Sequence, residues 1–272
     1  MFADLHMHST FSDGTYSPTK LVHDNYDIGV RVMAITDHDC VDGIPEALNA
    51  AQKYNGNIVV IPGVEFGTEI ENRPVHVLGY YIDTSYKPML ETMAWLRDSR
   101  DNRLYKMIER LDELGYHIKL ESCMHEGKTI GRPHVAKALV EAGYFKGVQE
   151  AFDKLLHFGG PAYVAHPKLS PSEAVALIHE AGGFAVLAHP TEIANDNLVL
   201  NLLDTIPFDG LEVYHPSART KERQKIIKNW ALARNLVITG GTDFHGVEDR
   251  FPNKLGLWNV NIDEVKGILE WK

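Results

Sequence analysis

The sequence predicts an α/β fold: an irregular TIM-like (β/α)7 barrel carrying a helical insertion. Three observations predict it. Short β-branched runs alternate with amphipathic helical patterns along most of the 272 residues. The helical patterns open on polar or Ser-Pro starts and stop on Gly, the punctuation of short crossover helices. The alternation lapses once, between about Lys87 and Pro161. Strand, helix and strand in succession imply parallel pairing through right-handed crossovers, and about seven such units suffice to close a barrel. An open doubly wound sheet is the structural alternative.

The strand candidates are Phe2–His8, Arg31–Thr36, Ile58–Ile61, Val75–Tyr80, Phe184–Ala188, Gly210–Tyr214 and Leu236–Thr239. "YSPTKLVHDNYDIG" predicts a helix with Ser17 as N-cap, Pro18 at the first position and Gly29 as its stop. "DGIPEALNAAQKYNG" is closed by Gly56, and "SPSEAVALIHEAGG" repeats the Ser-Pro start and Gly stop. Within the lapse, "PMLETMAWLRDSRDNRLYKMIERLDELG" reads as one long helix, followed by "RPHVAKALVEAG" and "VQEAFDKLLHFG". The expected domains are therefore a barrel of residues 1–86 and 162–272 and a helical insertion of residues 87–161 that caps its mouth.

Composition excludes several classes. No stretch reaches the roughly 18 apolar residues of a membrane span. No basic-then-apolar leader opens the chain. Cys40 and Cys123 are the only cysteines and form no CxxC pair, which argues against a disulfide framework or thiolate zinc and suits the cytoplasm. A net charge of −10 disfavours a long duplex nucleic acid, so an anionic substrate needs local positive charge.

The 14 histidines matter by position. Residues i and i+2 of a strand share a face, so His6 and His8 point together. The second strand ends in "AITDHD" with Asp37, His38 and Asp39, and the third in "IPGVEF" with Glu65. The fourth carries His76, and later strands end in "AVLAHP" (His189), "LEVYHP" (His215) and "VITGGTDFH" (Asp243, His245). A lone strand-end histidine is most often a hydrogen-bonded loop residue, and Asp42 and Asp196 read as helix caps. Seven successive strand ends that each deliver an imidazole or carboxylate to one rim are better explained by metal binding.

"DLHMHSTFSDG", "AITDHD", "PGVEF", "HVLGYY", "AVLAHP" and "GGTDFHG" stand in the order of the PHP (polymerase and histidinol phosphatase) superfamily of metal-dependent phosphoesterases, which the chain resembles over nearly its whole length. It is most similar to the bacterial subgroup that removes the 3′-phosphate from nucleoside 3′,5′-bisphosphates and trims short 5′-phosphorylated RNA. "GRPHVAKAL" resembles that subgroup too.

The resemblance implies two to three divalent ions (Mn, Fe, Zn or Mg). His6, His8, Glu65 and Asp243 would hold the first. Glu65 would bridge to a second, completed by His76 and His189. Asp13, His38 and His245 would hold the third. Many relatives carry a third histidine where Asp13 stands. Glu65, Asp243 and His189 are the implied catalytic residues, with a hydroxide bridging the first two ions as nucleophile.

Arg132, His134, Lys168 and His215 are candidate substrate contacts, Arg132 and His134 because they open a helix whose N–H groups favour anions. His166 beside Lys168 is a weaker candidate. His23, His117, His125, His157 and His179 read as structural or solvated. "TEIAND" after His189, with Glu192, departs from the subgroup's usual Gly, and Cys40 stands where Thr is usual. The rival readings are a histidinol-phosphate-type phosphatase, an amidohydrolase-type C–N hydrolase on a similar barrel, and a metal-binding module without catalysis. The second commonly uses a carboxylated Lys where this chain has Glu65.

Overall fold

The computed structural model describes residues 1–119, 132–165, 167–248 and 250–271. The strands are β1 (Phe2–Asp4), β2 (Val30–Ile35), β3 (Val59–Ile70), β4 (Arg73–Tyr80), β5 (Phe184–Leu187), β6 (Gly210–Tyr214), β7 (Val237–Gly240) and β8 (Val260–Asn261). The helices are α1 (Pro18–Asp27), α2 (Ile44–Gln52), α3 (Lys87–Glu113), α4 (Arg132–Glu141), α5 (Val148–Ala151), α6 (Pro171–Glu180), α7 (Asp196–Thr205), α8 (Lys221–Leu232) and α9 (Lys266–Leu269). Two compact units result, Met1–Leu90 with Lys168–Lys272, and Glu91–Pro167.

In the first unit all eight strands form one sheet, in the order β7-β6-β5-β4-β3-β2-β1-β8. Its ends meet, because the chain beyond β1 runs beside the chain beyond β7. Met7 bridges Phe244 in parallel. Leu5 N–H donates to the Gly240 carbonyl at 3.2 Å, and His8 N–H to the Phe244 carbonyl at 2.9 Å. The sheet is thus a nearly closed barrel with helices around it.

The barrel departs from all-parallel pairing at β4, which runs antiparallel to both β3 and β5. A hairpin replaces the expected crossover. Glu71 (φ 51°) and Asn72 (φ 62°) are both left-handed, the backbone of a tight two-residue turn between twisted strands. β3 therefore extends to Ile70 instead of stopping near Ile61. The reversal also changes which end of β4 reaches the functional rim. His76 pairs with Gly67 near the start of β4, so it arrives at that rim from the N-terminal half of its strand. β8, antiparallel to β1, is an additional strand.

Local chemistry sets the helix boundaries. Ser17 accepts from Lys20 N–H at 3.2 Å, Pro18 follows it, and Gly29 (φ 92°) ends the turn after α1. Ser170 and Glu173 form a capping box on α6, with Ser170 N–H donating to Glu173 at 2.7 Å. Neither expected acidic cap is one. Gly43 stands at the N-cap of α2, and Asn195 caps α7 by accepting from Leu198 N–H at 3.1 Å. Asp196, one residue on, instead holds Arg223 through both carboxylate oxygens, at 2.5 and 2.8 Å.

Two apolar layers hold this unit. Met33 and Ile35 pack outward with Leu21, Val22, Ala47 and Ala50 of α1 and α2. The alternate residues Val32 and Ala34 join Ala3, Leu5, Ile61, Leu78, Tyr80, Phe184 and Val260 in a second cluster drawn from six strands, which Ile268 of α9 also joins. Tyr80 donates its hydroxyl to the Leu5 carbonyl at 2.8 Å, satisfying the polar tip of the largest fully buried side chain among the described residues.

The second unit has its own core. Leu104, Met107 and Leu111 of α3 pack with Val135, Ala138 and Leu139 of α4 and with Phe145, Leu155 and Leu156. The helix expected over "VQEAFDKLLHFG" is α5 continued by a wider π-helical turn, Phe152–Leu156. Among the described residues no helix is long and apolar enough to cross a membrane.

Candidate metal centre

Glu65 is the hub of the rim. Its position midway along β3, facing the strand that carries His76, lets its two oxygens look in two directions. Oε1 lies 2.8 Å from His76 Nδ1 and 3.0 Å from His189 Nε2. Oε2 lies 3.3 Å from His6 Nε2, 3.1 Å from His8 Nε2 and 3.2 Å from His38 Nδ1. Asp243 Oδ1 closes the second side, 3.5 Å from His6 Nε2 and 3.1 Å from His8 Nε2. The ligand-type atoms of His6, His8, Glu65 and Asp243 all lie within 4.8 Å of one another, and so do those of His38, Glu65 and His76.

A further group gathers on the outer side of His8. Asp13 Oδ1 stands 3.2 Å from His245 Nε2 and 3.6 Å from His8 Nδ1, while its Oδ2 is 4.0 Å from His38 Nε2. The turn that swings Asp13 back is pinned by Asp37. That carboxylate accepts from Ser9 N–H (2.7 Å), Ser9 Oγ (2.6 Å) and Ser12 Oγ (2.5 Å). Asp37 thus supports the loop rather than joining the cluster.

The backbone is strained where ligand candidates sit. His189 (φ 22°) and Asp243 (φ 51°) both occupy the left-handed region. For residues other than Gly such geometry costs about 1–3 kcal/mol and persists only when the surroundings over-determine it.

Electrostatics separate the residues into two sets. Burial alone would push the carboxylates up, but the imidazoles hold Glu65 and Asp243 well below the ordinary carboxylate range, and Asp13 is lowered in the same way. Burial lowers His8 and His189, but Glu65, with Asp243 beside His8, outweighs it and raises them to about 10 and about 9. His38 goes the other way, down to about 3, because burial and the neighbouring imidazoles win.

Even so, the cluster does not satisfy itself. His6 Nε2, both nitrogens of His8, Glu65 Oε2, His189 Nδ1, His215 Nε2 and His245 Nε2 are buried without a hydrogen-bond partner. Orphaned buried groups are rare and costly. Lone pairs of imidazole and carboxylate converging in this number are the donor set that divalent Mn, Fe or Zn takes. The residues present fit such ions.

Of the expected substrate contacts, His215 lies at the cluster, its Nε2 3.5 Å from Asp243 Oδ2. Lys168 pairs with Glu69 at 3.2 Å. Arg132 and His134 belong to the second unit, where Arg132 donates to the Leu156 carbonyl at 3.2 Å and lies over the rings of Phe152 and Tyr163. His166 and His125 fall outside the described residues. His23, His117, His157 and His179 bond to Tyr54, Asp112, the Phe158 carbonyl and Asp209, respectively, away from the cluster.

Sequence reasoning missed Glu212, Arg250 and Asp4. Glu212, buried on β6, accepts from His6 Nδ1 at 3.0 Å and from His189 N–H at 2.7 Å. Arg250 donates to Asp243 Oδ2 at 2.5 Å. Burial pushes Asp4 up to about 7, although it accepts from Thr242 N–H (2.9 Å) and Thr242 Oγ1 (2.7 Å) just below Asp243. A charged residue inside an apolar strand was the available signal for Glu212.

Residues 4–182 match the PHP domain family. The chain belongs to the PHP domain family. This PHP protein is 33% identical over 273 residues to a 5′-3′ exoribonuclease of Haemophilus influenzae, an alignment covering 98% of this chain and 96% of that one. It is 31% identical to a 3′,5′-nucleoside bisphosphate phosphatase of Chromobacterium violaceum, over 89% of this chain and 84% of the relative. Among solved structures, a metal-dependent phosphoesterase from Bifidobacterium adolescentis superimposes with a TM-score of 0.79 at 32% identity, covering 98% of this chain and 95% of that one. The PHP protein is accordingly an enzyme of the phosphoesterase class of hydrolases.

Proposed function

We propose that the chain hydrolyses phosphate esters of small nucleotides, a nucleoside 3′,5′-bisphosphate or the end of a short 5′-phosphorylated RNA, at a site for three divalent ions. The observation that carries this reading is the double-facing Glu65, with His76 and His189 on Oε1 and His6, His8 and His38 on Oε2. A carboxylate so placed suits a bridge between two ions. His6, His8 and Asp243 would complete the first site and His76 and His189 the second, with Asp13, His38 and His245 at the third.

When bound, such ions lower the pKa of water toward about 7 and neutralise phosphoryl oxygens. The chain's own residues set the geometry. Glu212 fixes the His6 ring by accepting its Nδ1 proton and so aims Nε2 at the Glu65 side. Arg250 holds one oxygen of Asp243 and leaves Oδ1 turned toward His6 and His8. His215 Nε2, buried 3.5 Å from Asp243 Oδ2 and making no hydrogen bond, is placed to donate to a phosphate oxygen. The names of the relatives support the nucleotide class, and the net charge of −10 supports a small substrate over a long duplex.

The test is metal analysis of the purified protein followed by phosphate release from a panel. The panel holds adenosine 3′,5′-bisphosphate, a 5′-phosphorylated oligoribonucleotide, histidinol phosphate and a simple amide. Turnover of the first two, lost in His8→Ala and Asp243→Asn after metal reconstitution, is the expected result. Preference for histidinol phosphate would overturn the substrate class, and turnover of the amide alone would overturn the reaction class.

A further inference from the structure

We infer that the open cleft beside Asp243 is a subsite for the nucleoside and second phosphate of a bisphosphate substrate, with Arg219 as its anion-binding group. The inference rests on the phosphoesterase reading above and deepens it. The cleft has a volume of about 680 Å³, within the range of small-molecule sites. Its walls are the segments after β5, β6 and β7 together with Trp258. Asp243 and His215 line it, so it opens directly onto the candidate metal centre.

Two buried polar atoms of lining residues make no hydrogen bond. His215 is 3% exposed; its Nδ1 is held by Ser217 Oγ at 2.7 Å, and its Nε2 has no hydrogen bond. Trp258 Nε1 is likewise buried without an acceptor. A ligand with acceptor oxygens in the cleft would give the His215 imidazole the hydrogen bond it lacks, its one charged neighbour being Asp243 at 3.5 Å.

The cations of this wall differ in availability. Arg250 already serves Asp243. Farther along, Arg223 is engaged by Asp196 and Lys228 by Glu264. Arg219 is exposed and lines the cleft, and its guanidinium has no ion pair or hydrogen bond among the described residues. An unengaged planar fork matches a phosphate in bidentate fashion.

The remaining walls suit a nucleoside. Phe251 is 60% exposed on the cleft, a ring face on which a base can stack. Glu192, its carboxylate half-exposed and 3.6 Å from His189 Nδ1, can accept from an exocyclic amine or a ribose hydroxyl. It also repels a second phosphate from its own side, which leaves that anion to Arg219. This gives a use to a residue of the "TEIAND" segment, which departs from the subgroup's usual sequence.

The experiment compares kcat/KM for adenosine 3′,5′-bisphosphate with that for adenosine 3′-monophosphate, using the metal-loaded full chain. In Arg219→Ala the ratio should fall roughly 10-fold or more, the loss expected for a charged hydrogen-bonded contact. Arg219→Lys should keep part of it. Phe251→Ala should lower both nucleotides alike relative to glycerol phosphate. An unchanged ratio in Arg219→Ala overturns the inference, as does a ratio that collapses only in Arg132→Ala. Calorimetric titration with adenosine 5′-monophosphate gives a readout independent of turnover: affinity should drop about 10-fold in Arg219→Ala, and equal affinity overturns the subsite. If the wild type binds the nucleotide through Arg219 yet hydrolyses no phosphoester, the reaction reading fails and the subsite stands.

Discussion

Glu212 and His6 face each other across the barrel, with Nδ1 of the imidazole donating to the carboxylate at 3.0 Å while Nε2 is left 3.3 Å from Glu65. Both side chains are buried, and Glu212 also accepts the His189 amide. One carboxylate therefore sets the tautomer of one ligand candidate and the backbone of another. Although burial raises it, His6 and His215 keep Glu212 below the usual carboxylate range, so it stays an acceptor. Glu212→Gln replaces one acceptor oxygen with a donor amide and must lose one of these two bonds. Metal affinity should fall about 10- to 100-fold, read by competition with a chromophoric chelator. Unchanged affinity would assign Glu212 to packing alone.

A second prediction concerns proton linkage in the metal-stripped protein. His8 and His189 have folded pKa values of about 10 and about 9, above the usual 6.5. The stability they contribute is fully present below pH 6.5 and is lost as pH rises through 9 to 10. The stripped protein should therefore melt at a lower temperature at pH 9.5 than at pH 7. Metal binding must discharge these imidazolium protons, so the loaded protein should release protons on assembly and bind its ions more tightly as pH rises over the same window. Thermal scans with and without chelator at the two pH values check both signs. A stripped protein that gains stability at pH 9.5 would contradict the charge assignment.

The candidate ligands were legible in the sequence because they recur at strand ends, where side-chain parity and chain direction fix their destination. The hairpin between β3 and β4 was not. Its turn, Glu71-Asn72, lacks the Gly that normally marks a reversal, and both residues are held left-handed by the sheet. Without that reversal His76 could be counted with the others but not placed, since its approach depends on β4 running backwards. Glu212 and Arg250 were hidden for another reason. Their roles exist only through partners 206 and 7 residues away, and no local pattern encodes a partner across a barrel. The helix starts show the limit at short range: Ser17 and Ser170 cap as expected, while Asn195 takes the role assigned to its neighbour Asp196.

Asp13 gives the third prediction. It is the carboxylate that approaches His245, His8 and His38 together, at 3.2, 3.6 and 4.0 Å. Asp13→Ala should lower the metal content by about one ion per chain, with the ions around Glu65 retained. Turnover should fall roughly 100-fold or more, since one ion's charge stabilisation is worth several kcal/mol. Elemental analysis of the reconstituted variant, run beside Asp13→His, separates loss of an ion from loss of the fold. Full metal content in Asp13→Ala would remove Asp13 from the ligand set.

Gly241 carries the last prediction, and it links barrel closure to the metal centre. A Cβ there would lie 2.4 Å from His6 N and 2.5 Å from His6 Cβ, distances no real contact shows. Gly241 N–H also donates to the Tyr214 carbonyl at 3.0 Å, so the residue cannot retreat without breaking the β6–β7 edge. Two residues on, Asp243 N–H is bonded to the His6 carbonyl at 2.8 Å. Gly241→Ala must therefore spread the two chain segments that present His6 and Asp243. Overpacking of this kind costs about 1–3 kcal/mol, and here it displaces two ligand candidates at once. The variant should unfold at lower urea and show weakened metal binding, even at temperatures where circular dichroism reports a native fold. A variant of wild-type stability and metal affinity would mean that the closing seam is loose enough to absorb a methyl group, and that His6 and Asp243 are positioned by something other than their shared backbone contact.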